Sequence, residues 1–136
     1  PLKAMKDSLQ NYYVKKNAGE YPPPAYYREP RASGPPTAAW EALMASGAYE
    51  ILDPELFYEM TIYYNRVFSI NTKFKRYMIL CEERILPHIN EAPLVFYNDG
   101  KIKGEYHILI LLLDEIVSEI EQLSIDAKEL LNKLDK

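Results

Sequence analysis

Cysteine is nearly absent: Cys81 is the one thiol among 136 residues. A single cysteine excludes an internal disulfide and a cysteine-built metal cluster. Its place in an apolar repeat reads as a small buried hydrophobe, compatible with either redox compartment. Histidine is almost as scarce, and neither His88 nor His107 has a second ligand-type residue at metal spacing on an established helix. Long hydrophobic runs are missing too. The best of them, Ile108 to Leu113, falls far short of the roughly twenty residues that a membrane span needs. Positive charge is not in excess: 16 Lys and Arg face 20 Asp and Glu, a net charge of −4. A nucleic-acid partner, which asks for a basic stripe, is therefore not expected.

Chemistry-bearing patterns are also lacking. Glu82-Glu83 and Asp114-Glu115 are adjacent pairs, whose side chains diverge on a helix and read as solvated surface. Gly100-Lys101-Ile102-Lys103-Gly104 has neither the spacing nor the Ser/Thr of a phosphate loop. Ser46-Gly47 has no nucleophile-elbow setting. No residue is assigned a catalytic, cofactor-binding or metal-binding role, and the chain reads as non-enzymatic.

What is present is a pair of heptad seams. Leu56, Met60, Tyr63, Val67, Ile70, Phe74, Tyr77 and Cys81 alternate steps of four and three. Leu109, Leu113, Ile116, Ile120, Leu123, Ala127, Leu130 and Leu134 repeat the alternation. The expected fold is all-α: an antiparallel hairpin of long helices over about 53–86 and 105–134. At 1.5 Å per residue each is roughly 45–50 Å long. Asp53 caps the first with Pro54 at its first helical position, and Leu52 and Phe57 are placed for a hydrophobic staple. Pro87 ends it. Arg66, Lys73, Lys75 and Arg76 lie off the seam and read as solvated.

Two further helices complete the expected single helical domain, 1–136. One spans 2–16, with Leu2, Met5, Leu9 and Tyr12 on its apolar side and four lysines elsewhere, which could also sit beside acidic lipids. A short packing helix spans 37–46, capped by Thr37 and closed by Gly47, with Trp40, Leu43 and Met44 on one face. The 17–36 connector contains six of the ten prolines. Its Tyr21 to Tyr27 portion should be polyproline-like: a stiff strap laid along the bundle, or a docking segment for an aromatic-lined groove. Asp99-Gly100 permits a tiny β-hairpin near 95–102.

The stretch Thr37-Ala38-Ala39-Trp40-Glu41-Ala42-Leu43-Met44-Ala45-Ser46-Gly47, then Ile51-Leu52-Asp53-Pro54-Glu55-Leu56, Tyr63-Tyr64 and Asn71, resembles a pattern of small uncharacterised bacterial membrane-anchored helical proteins. The likeness covers about residues 37–75. It implies a helical domain beside a membrane, held by a segment upstream of Pro1, with no catalytic residues to carry over. The start at Pro1, without an initiator Met, fits an excised piece of such a chain. A membrane-associated location, extracytoplasmic by preference, is the corresponding expectation.

Two functions from different classes are compatible with these residues. The first is an interaction or scaffold domain that associates with itself or a protein partner. Its candidate surface is Ile108, Ile110, Leu111 and Leu112, because residues 108–113 are apolar all round and need cover from the 37–52 region or a partner chain. The second is a small-molecule sensor with an inter-helix pocket lined by Tyr63, Tyr64 and Tyr77. Tyrosine is abundant, twelve in all, and at heptad positions the simpler role is packing.

Overall fold

The computed structural model of the chain describes residues 2–26, 35–91 and 93–134. Among these residues lie α1 (Leu2–Asn17), α2 (Ala38–Ser46), α3 (Pro54–Arg84) and α4 (Gly104–Leu134), with a hairpin of β1 (Tyr97–Asn98) and β2 (Lys101–Ile102) between the last two. Helix α3 starts where its residues dictate. The Asp53 side chain accepts a hydrogen bond from the Leu56 backbone N–H at 3.2 Å, and Pro54 supplies the first helical residue, whose missing N–H costs nothing there. Phe57 stacks against Trp40 and Tyr49, with ring centroids 6.0 and 5.4 Å away.

The two seams close on each other in antiparallel fashion. From Val67 to Cys81 every seam residue of α3 is buried, and Leu109, Leu113, Ile116 and Leu123 are their counterparts on α4. Each buried Leu or Ile contributes roughly 1.5–3 kcal/mol of apolar transfer, so the seam dominates the stability of the pair. Helix α1 runs antiparallel to α4: Lys6 pairs with Glu121, and the Tyr13 hydroxyl donates to Asp114 at 2.9 Å. It buries Met5, Leu9 and Tyr12, the apolar side that the three–four spacing defines. Its end is a Schellman turn. Glu20 N–H donates to Lys15 C=O and Gly19 N–H to Lys16 C=O, with Gly19 at φ 79°.

Beyond Gly19 the chain doubles back as an extended strap. Pro22, Pro24 and Ala25 are buried, the Ser8 hydroxyl donates to Tyr26 C=O at 2.7 Å, and the Tyr97 hydroxyl donates to Pro22 C=O at 2.5 Å. Backbone carbonyls that proline leaves without a regular ladder thus find side-chain donors. The rest of the 17–36 connector, residues 27–34, lies outside the described residues.

Three local expectations need correction. Thr37 precedes α2 but its side chain caps no backbone N–H; its hydroxyl lies 3.3 Å from the Glu41 carboxylate instead. Met44 is exposed, because α2 meets α3 chiefly through Trp40, which stacks on Tyr64 at 4.7 Å. The start of α4 is not covered by residues 37–52, which pack at the opposite end of the helix pair; α1, the strap and the hairpin take that place. The hairpin itself is part of the core. Asp99 and Gly100 both have positive φ (50° and 77°), as a type I′ turn requires, and the turn sends Phe96 and Tyr97 inward.

Candidate functional site

On the edge of the α3–α4 seam the charged residues form a ladder with heptad spacing. Glu59 pairs with Lys133 at 2.6 Å, Arg66 with Asp126 at 2.7 Å, and Lys73 with Glu119 at 2.5 Å and Glu115 at 2.7 Å. On α3 the rungs advance by seven residues; on α4 their partners retreat by seven. These are the flanking positions of a coiled-coil seam, where opposite charges fix the orientation of the partner helix. The Glu115 and Glu119 carboxylates hold the Lys73 ammonium above its usual range, Glu115 first, and Lys73 in turn lowers Glu115. Glu59 likewise raises Lys133. Arg66 and Lys73 are as open to solvent as their place off the seam implies, with side chains 58% and 32% exposed, and they are also paired. The signal that marks them as paired is the matching step of seven between 59, 66, 73 and 133, 126, 119.

One heptad further along both helices, the ladder positions are Leu80 and Leu112. Both are half-buried against the core. Just beside them Ile108 is 61% exposed and Leu111 50% exposed, one helical step of three apart, whereas Ile110 is only 1% exposed. The four candidate surface residues therefore divide. Ile108 and Leu111 face outward, Leu112 borders them, and Ile110 belongs to the core. Apolar side chains replace a charged rung here, on the side of α4 away from Asp114 and Glu121, which meet α1. An ion ladder that gives way to leucine leaves an uncovered apolar patch at the start of α4.

The three candidate pocket tyrosines are not brought together. Tyr77 is wholly buried, Tyr64 is stacked on Trp40, and Tyr63 meets Tyr64 edge-on beside a shallow groove that it shares with Ile62 and Leu130. The tyrosines that do cluster are Tyr12, Tyr13, Tyr21 and Tyr97, where α1, the strap and the hairpin meet. Lys16 Nζ sits over the Tyr97 ring, 4.7 Å from its centroid. Burial, reinforced by Tyr12 and Tyr21, pushes the Tyr97 phenol up to about 12; burial, reinforced by Asp114, pushes Tyr13 to about 12. Both shifts move away from neutrality, opposite to what a general base at neutral pH needs.

Among the described residues no three His, Cys, Asp or Glu side chains gather as a metal site, and no helix is long and apolar enough to cross a membrane. Cys81 is buried and not disulfide-bonded. Comparison with protein-family models, with curated proteins and with solved structures gives no match.

Proposed function

We propose that the chain is a non-enzymatic helical interaction module that binds a second copy of itself through the start of α4. The observation that carries this reading is the exposure of Ile108 and Leu111 beside the apolar rung of Leu80 and Leu112. A small apolar patch on one face of a helix suits a two-fold dimer, in which each copy covers the other's patch. The resemblance over 37–75 extends the reading to a membrane-anchored bacterial protein, with its anchor upstream of Pro1 and this domain on the extracytoplasmic side. Two copies held on one membrane face would meet at high local concentration, so even a small interface would suffice. A sensor built on Tyr63, Tyr64 and Tyr77 has less support, since Tyr77 is sealed in the core and Tyr64 is engaged by Trp40.

Sedimentation equilibrium over a range of concentrations tests the proposal. The expected result is a dimer that Ile108→Asp with Leu111→Asp converts to a monomer, while Ile125→Asp, at an exposed position on the later part of α4, leaves it intact. A wild-type chain that stays monomeric at high micromolar concentration overturns it.

A further inference from the structure

We infer that the chain has a binding groove for a small amphiphilic carboxylate, at the junction of α1, the β-hairpin and α4. The groove is open to solvent and about 470 Å³ in volume. Tyr12, Ile102 and Ile110 supply apolar walls; Lys16, Lys101 and His107 stand among the other lining residues, and none of those residues is acidic. The nearby carboxylate of Asp114 is engaged by the Tyr13 hydroxyl at 2.9 Å. Lys16 lies across the hairpin. Its Nζ lies over the Tyr97 and Tyr21 rings and 3.5 Å from Gly100 C=O, which leaves donor capacity for a further acceptor. Lined in this way, the groove selects a negatively charged head on a flat or short aliphatic body. Ile108 and Leu111 border this groove but do not line it, so the site does not rest on self-association.

Three probes with one body and different heads test the inference: 4-phenylbutyrate, 4-phenylbutanol and 4-phenylbutylammonium, each titrated into the full chain and followed by amide NMR shifts. The carboxylate is expected to bind about fivefold more tightly than the alcohol, the sum of two half-exposed charge pairs. Its shifts should centre on residues 12–17 and 101–110. Lys16→Gln with Lys101→Gln should abolish the preference for the carboxylate over the alcohol. Equal affinity for all three heads, shifts centred elsewhere, or no shifts at all overturns the site.

Discussion

The two halves of the long-helix pair use the same heptad grammar but differ in what lies over it. Around Phe74–Ile85 and Tyr106–Val117, α1, the strap and the hairpin enclose the seam, and sixteen buried residues among those described form one continuous cluster. Around Pro54–Ile70 and Ile120–Leu134 the cluster shrinks to Val67, Ile70 and Leu123, with α2 leaning on one side through Trp40. Seam spacing brings two helices together, but only a third layer excludes water from them. The first half is therefore a core, and the second is closer to an isolated two-stranded coiled coil. Its apolar side chains remain partly wet: Tyr58, Ile62, Ile125, Leu131 and Leu134 are all exposed.

The sharpest way to break this comparison is to empty one seam position in each half. Leu113 is wholly buried and surrounded on all sides, so Leu113→Ala should cost about 3–5 kcal/mol, through lost transfer energy plus an unfilled cavity. Leu123→Ala, at the edge of the smaller cluster, should cost about 2 kcal/mol, because the neighbouring helix can close on the space or water can enter it. Urea unfolding of the two variants measures the difference. Equal losses would mean that the halves share one cooperative core.

The heptads were legible because each seam position repeats a physical requirement that a single residue can meet, and α1, α3 and α4 all fall within a residue or two of the spans their spacing implies. The Asp53-Pro54 start and the Gly47 stop were legible for the same reason. Gly47 has φ 72°, a conformation that glycine adopts without penalty. The covering of the seam was not. Residues 108–113 announce that they need partners on all sides, but nothing in their own pattern distinguishes α1 from α2 as the partner. Tyr97 illustrates the limit. Its hydroxyl meets a carbonyl 75 residues away, at Pro22, a pairing that no local spacing encodes. The separation of Tyr63, Tyr64 and Tyr77 was hidden likewise, since facing direction on a helix does not reveal which tyrosine another element will cover.

That long-range hydroxyl gives an intermediate test, specific to the enclosed half. Tyr97→Phe removes the bond to Pro22 and leaves a buried carbonyl unpaired, a cost of about 1–2 kcal/mol. The pH dependence has a definite sign. The folded phenol titrates near 12, above the unfolded value of 10.0, so the fold holds the proton more tightly than the open chain. Its contribution is complete below pH 10 and is lost as pH rises towards 12, where the unfolded chain releases the proton first. Tyr13 acts in the same direction, weakened by its exposure to solvent. Urea midpoints at about pH 9 and about pH 11 should show wild type falling more steeply than Tyr97→Phe. Parallel curves would mean that the phenol is not enclosed.

The smallest effect belongs to the open half, where the ion ladder is the most visible feature and the weakest support. The Arg66 side chain is 58% exposed, so its pair with Asp126 is screened by water and salt, and Arg66→Gln should cost no more than about 0.5 kcal/mol. Ile70→Ala, four residues later on the seam, should cost about 2 kcal/mol or more. The ladder instead discriminates between arrangements. Glu59, Arg66 and Lys73 meet opposite charges only when α4 runs antiparallel in the observed register, and a shift by one heptad would set Arg66 against Lys133. Like charges so placed are repulsive. Raising the salt concentration should therefore lower the midpoint of wild type slightly, and that of Arg66→Gln less. A loss for Arg66→Gln comparable to that of Ile70→Ala would reverse the comparison, and make charge rather than burial the principal support of the open half.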